Sequence, residues 1–222
     1  MNSIQSKYIK VILICSMLAG LLPACNKSFL DKNPLDKVSG ENFWLSEADV
    51  NLALTGVYQR LQNGFFGHRK LWLDTYSDNA YDRHSFYSFG TLTQGIVNSS
   101  NVTNAFYNAP YQGVAACNYF LDNLDKAPIT DEKKTTYRAE VRFLRAFFYF
   151  DLVQSFGGVV LYKTAPKTVD EAKIKQSSKE EVFAFIHEEL DFAIANLPDV
   201  AYTGHAVKAS AQAIKAKAFL VQ

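Results

Sequence analysis

The stretch YRAEVRFLRAFFYFDLVQSFGGV runs from Tyr137 to Val159. Tyr137, Val141, Leu144, Phe148, Leu152 and Val153 recur at steps that place them on one face of a helix. Thr130, just after Pro128, supplies an N-cap, and Gly157 with Gly158 supplies the stop, so the pattern predicts one long helix between a cap and a glycine turn. Glu140, Arg142, Arg145 and Asp151 lie within it. Helical spacing brings Glu140 only partly within reach of Lys133, Thr136 and Arg138, so these charges read as half-buried pairs that orient neighbouring helices.

Helical spacing continues on both sides of this segment. Ser46 followed by Asp49 is a capping-box pattern, and Val50, Leu54, Val57, Tyr58 and Leu61 then form a stripe up to Asn63-Gly64. Residues 103–126 carry a second stripe through Phe106, Tyr107, Val114, Cys117, Phe120, Leu121 and Leu124, with Pro110 and Gly113 marking a kink or restart. Val159 to Tyr162 reads as a short extended run, and a second loop begins at Ala165-Pro166. Ser178 with Glu181 caps a helix reaching about Leu197, with Val182, Phe185, Ile186, Leu190, Ala193 and Ile194 on its apolar face. A last helix starts near Ala206 and runs through Ala209, Ala213, Ala216, Leu220 and Val221. Its face is still open at Gln222, so the chain reads as the first part of a longer protein. The fold class is therefore predominantly all-α. The alanines permit the close approach seen in tetratricopeptide-type hairpins, although no 34-residue self-similarity accompanies them.

Lys7 and Lys10 precede the uncharged run Val11 to Leu22, which is shorter than the roughly 20 residues of a spanning helix. Residues 1–24 thus read as a secretory signal peptide. The run Leu22-Pro23-Ala24-Cys25 resembles a bacterial lipobox, which would make Cys25 the lipidated first residue of the mature chain; a secreted protein with an incidental Cys25 is the alternative. Cys15 leaves with the signal, and Cys117, among Ala115, Ala116, Tyr119 and Phe120, reads as a buried structural thiol. The whole chain balances 23 basic against 22 acidic side chains over 222 residues. This balance excludes nucleic acid as a partner, because phosphate binding needs a concentrated basic patch. Residues 25–42, with Asn33, Pro34, Ser39 and Gly40 and no apolar period, read as a tether leading into a domain over 43–222.

From Gly64 to about Asn101 the periodicity fails among glycines and polar residues, and such long connections are usually functional or disordered. Residues 65–89 nevertheless hold eight aromatics, against the three or four expected from the chain average of 14%, which argues against disorder. Aromatic faces stack on the apolar C–H faces of sugar rings, while sugar hydroxyls need amide, carboxylate and guanidinium partners. Trp72, Asp78, Asn79, Tyr81, Arg83, Phe86 and Tyr87 are the candidate ligand-binding residues on that ground, with simple packing as the competing explanation for each aromatic.

Cys25, Phe29-Leu30-Asp31, Pro34, Phe43-Trp44, Asp49, Ala53 and Gly56-Val57-Tyr58, in that order, resemble the N-terminus of the SusD/RagB outer-membrane lipoproteins of Bacteroidetes. The segment from Tyr137 to Val159 resembles the family's helix signature, and Gly204-His205-Ala206-Val207-Lys208 its next repeat, where His205 departs from the more usual Arg. The resemblance covers about residues 20–222. It implies tetratricopeptide-like helical hairpins with long aromatic-rich loops, as the N-terminal part of a SusD-like fold. It also implies a lipid-anchored protein of the cell outer membrane facing the exterior, which binds glycans and delivers them to a SusC-type TonB-dependent transporter. Some members take peptides, and the segment after the first helix commonly contributes to the ligand site.

Catalytic chemistry has no positive signal. His68, His84, His187 and His205 lack a second ligand at zinc spacing, and the chain has no G-x-S-x-G elbow, P-loop or dinucleotide fingerprint. Asp74, Asp78 and Asp82 recur every four residues, but a calcium loop alternates its ligands every two, so no cofactor is expected and calcium is the one alternative. A non-enzymatic glycan-binding protein ranks first; peptide capture, a surface glycoside hydrolase and a purely structural repeat module follow in that order.

Overall fold

Ser46 accepts a hydrogen bond from the Asp49 amide and opens helix α1, Glu47–Gln59. The Asp49 carboxylate takes the Ser46 hydroxyl at 2.7 Å and the Leu45 amide at 3.1 Å, so the helix start is closed from both sides. The structure, a computed structural model, describes residues 43–62, 78–79, 103–202 and 204–222. All of these but Phe43 belong to one compact unit, Trp44–Gln222. The expected signal peptide, Cys25, the expected tether and nearly all of the 64–101 segment lie outside the described residues.

A 3-10 turn, Arg60–Gln62, prolongs α1. A π-helical turn, Thr103–Asn108, leads directly into α2, Ala109–Asn123, which tightens into a 3-10 turn at Leu124–Lys126. Then come α3, Asp131–Phe156; the short α4, Val169–Ala172; α5, Lys179–Asn196; and α6, Lys208–Val221. All regular structure among the described residues is helical, and neighbouring helices pair as tetratricopeptide-like hairpins. None of these helices is long and apolar enough to cross a membrane.

The 26-residue α3 is the centre: α1, α2, α5 and α6 all pack on it. Thr130 caps its start, and Gly157, at φ 69°, ends it in the left-handed region that favours glycine. The expected single stripe is too narrow. Val141, Leu144, Ala146, Phe148, Tyr149, Phe150, Leu152 and Val153 are all buried, as is expected of a helix surrounded by partners.

Charges inside this packing are paired. Glu189 of α5 is 1% exposed and accepts from Arg145 Nε at 2.8 Å and Arg142 Nε at 2.7 Å. Glu140 accepts from the Tyr58 hydroxyl at 2.7 Å and lies 3.0 Å from His205 Nδ1, rather than meeting Lys133, Thr136 or Arg138. The Tyr58 hydroxyl in turn accepts from the Ala206 amide, so one carboxylate joins α1, α3 and the approach to α6. Burial first, and then Glu140, push the Tyr58 pKa far up. Cys117 is buried and free, and its burial likewise holds the thiol neutral.

Two expectations need correction. Pro110 does not kink α2 but sits in its first turn, where a missing N–H has no helical partner to lose. Gly113 is no restart either: a Cβ there would lie 2.5 Å from the Phe148 ring, so the glycine allows α2 and α3 to approach. In α6 the face that packs carries Ala211 and Ala218, while Ala209, Ala213, Ala216, Leu220 and Val221 are exposed. With small residues all round that helix, apolar spacing could not select the packed side.

Three substitutions probe this packing by chemical denaturation. Gly113→Ala is expected to cost about 1–3 kcal/mol, because the buried Phe148 ring must shift. Gly56→Ala, with nothing within 4 Å, is expected to stabilise α1 by up to about 1 kcal/mol. Glu189→Gln leaves two guanidinium groups without their carboxylate and is expected to cost about 3–5 kcal/mol in the same measurement.

Candidate functional site

Tyr107, late in the π turn, and Tyr111, four residues on in α2, fall on one helical face. Their rings lie 4.7 Å apart at 53°, and Phe156 meets Tyr107 edge-on at 5.2 Å. The facing wall is the extended stretch after Gly158. Side chains alternate along extended backbone, so Val160 and Tyr162 face this side while Leu161 and Lys163 face away, toward α5. Tyr107, Tyr111 and Tyr162 thereby line an open cleft of about 510 Å³, together with Asn108, Gln112, Val114, Ala115, Asn118 and Pro166.

Among the described residues the facing wall pairs with no strand, and beyond the Ser177 amide, which donates to the Val159 carbonyl, it is held by side chains. The Tyr111 hydroxyl donates to the Val160 carbonyl at 2.8 Å, and its burial beside Tyr107 raises its pKa strongly. The Tyr149 hydroxyl accepts from the Tyr162 amide at 2.7 Å and donates to the Tyr162 carbonyl at 3.2 Å. Asn118, 1% exposed, donates its amide to the carbonyls of Tyr162 and Thr164, and its own oxygen accepts from Arg145 at 2.7 Å. The same guanidinium nitrogen donates to the Lys163 carbonyl at 2.8 Å. At the far end the Tyr162 hydroxyl donates to the Ala172 carbonyl of α4. Gly158 lets the wall start against α5's approach, since a Cβ there would collide with the Ser177 carbonyl.

The cleft therefore presents tyrosine rings whose positions are set before any ligand arrives, with the exposed amide of Gln112 beside them. Such a lining can stack on apolar faces and hydrogen-bond hydroxyls. Among the described residues the lining brings no carboxylate pair, and no group of three or more His, Cys, Asp or Glu could hold a metal.

Of the residues expected to bind ligand, Asp78 and Asn79 are described, and both are exposed at a bend. Trp72, Tyr81, Arg83, Phe86 and Tyr87 lie outside the described residues, as does Cys25, the expected point of lipid attachment. In the sequence Tyr107 belongs to a packing stripe, and neither Tyr111 nor Tyr162 stands out as a site residue. The signal for the first pair was present in their four-residue spacing beside the polar Asn108 and Gln112. Tyr162 had no such signal, because its role depends on which helix the extended wall crosses.

A SusD-like family model, described as starch-binding and associating with the outer membrane, matches residues 28–220. A SusD-like protein of Bacteroides ovatus is 26% identical over 95% of this chain and 39% of its own length. A SusD-like protein of Bacteroides fragilis of known structure superposes with a TM-score of 0.72 at 29% identity, over 85% of this chain and 38% of the other. A laminarin-binding SusD-like protein superposes with a TM-score of 0.70 at 26% identity, over 80% of this chain and 40% of that one. The chain thus spans about two fifths of the length of these relatives. With the family model running from ahead of α1 into the last turns of α6, over helices that superpose on solved members, the chain belongs to the SusD-like family.

Proposed function

We propose that this protein is a non-enzymatic lipoprotein of the outer-membrane surface that captures glycans and passes them to a SusC-type TonB-dependent transporter. Residues 1–24 serve as its signal peptide, Cys25 carries the lipid, residues 25–42 form the tether, and the helical domain begins at residue 43. The observation that carries glycan capture is the preset tyrosine cleft between α2 and the 159–166 stretch. The laminarin-binding relative supports the same ligand class. Trp72, Asp78, Asn79, Tyr81, Arg83, Phe86 and Tyr87 are proposed to contribute further ligand contacts.

Peptide capture is disfavoured by the wall itself. A peptide adding to extended backbone needs exposed amide and carbonyl groups. Here the carbonyls of Val160, Tyr162, Lys163 and Thr164 already accept from Tyr111, Tyr149, Asn118 and Arg145. What the cleft offers instead is ring surface.

Calorimetric titration of the full-length protein against panels of oligosaccharides and peptides tests this reading. A glycan is expected to bind, and Tyr111→Ala to weaken it about tenfold or more, the effect of losing a stacked ring together with its hold on Val160. Trp72→Ala and Tyr81→Ala, measured alongside, are expected to weaken the same glycan. Binding of peptides alone would overturn glycan capture.

A further inference from the structure

The walls of the cleft differ sharply in charge from their surroundings. Its described lining holds no Lys, Arg, Asp or Glu. The charges nearby are directed elsewhere. Arg145 stands directly behind Asn118, but Glu189 takes its Nε and one terminal nitrogen, and Asn118 and the Lys163 carbonyl take the other. Lys163 points to the opposite face of the wall, where its ammonium lies over the Phe185 ring at 5.3 Å. There it lines a separate cleft of about 400 Å³ with Glu181 and Glu188. The alternation of one extended stretch thus sorts neutral groups to one side and charged groups to the other.

The start of α2 does not supply a positive end in compensation. The π turn runs into it without a break, and Pro110 in its first turn has no N–H to offer. Among the described residues of the cleft a carboxylate or sulfate would lose water and meet no fixed cation, whereas sugar hydroxyls would find the Gln112 amide. Resting on the glycan-capture reading above, we infer that this cleft is built for uncharged glycans and discriminates against uronic-acid and sulfated sugars.

Ala115 is an exposed residue of the lining on α2, and it provides a matched charge probe. Ala115→Lys and Ala115→Glu alter size and polarity similarly but reverse the sign. The full-length protein is titrated with neutral laminari-, cello- and malto-oligosaccharides, and with oligogalacturonate and sulfated oligosaccharides, at low and at high salt. For an uncharged ligand the two variants are expected to agree within about threefold at either salt concentration, and the anionic probes to bind at least tenfold more weakly than the neutral one. An anionic ligand would split the pair by more than about tenfold at low salt, with the gap closing as salt screens it. If an anionic oligosaccharide binds tightest and shows that split, neutrality is overturned while glycan capture stands. If no oligosaccharide responds to Tyr111→Ala, the underlying reading fails instead, and this inference with it.

Discussion

Glu189 is a carboxylate with 1% of its surface exposed, placed between two guanidinium groups of α3. A buried charge in that position is tolerable only if its partners are held in place, and the partners here are held by the two most closely packed helices of the domain. Arg145 extends the constraint past the pair. Its remaining nitrogen reaches Asn118 on α2 and the Lys163 carbonyl, so one ionic cluster fixes α2, α3, α5 and the wall of the cleft relative to each other. Arg142 adds a second function, its guanidinium lying 4.1 Å over the Phe192 ring, which shields the cluster on one side.

The cleft inherits its rigidity from that cluster. Among the described residues the stretch after Gly158 makes no strand pairing, yet its carbonyls at Val160, Tyr162, Lys163 and Thr164 all have side-chain donors. Tyr162 is held at its backbone by Tyr149 and at its hydroxyl by α4. A ring fixed at both ends loses little freedom when a ligand stacks on it, and this is how a rigid scaffold favours a weakly polar partner.

A second carboxylate, Glu140, does similar work two residues before Arg142 on α3, toward α1 and the approach to α6. It gathers Tyr58 and His205, and Tyr58 also receives the Ala206 amide. These contacts cross 82 and 65 residues of sequence, so helical spacing, which brings Glu140 only partly within reach of Lys133, Thr136 and Arg138, gives its role in orienting neighbouring helices but not its partners. His205 keeps a nitrogen within 3.0 Å of the carboxylate.

Local physics made much of the fold legible in advance. Ser46, Thr130 and Ser178 each accept from the amide three residues on, and Gly157 stops α3, because caps and turns depend on neighbours within one helical turn. The structural role expected for Arg142 and Arg145 followed from their place on an otherwise apolar helix. The short α4, capped by Thr168, was not foreseen, since four residues carry too little periodicity to register. Which side of alanine-rich α6 packs, why Gly113 is needed opposite Phe148, and how Tyr107, Tyr111 and Tyr162 converge on one cleft all depend on partners in other elements, well beyond one helical turn along the chain. Helix positions and ends are written in residues adjacent along the chain, whereas the cleft exists only once a buried charge cluster has brought distant segments to a common place.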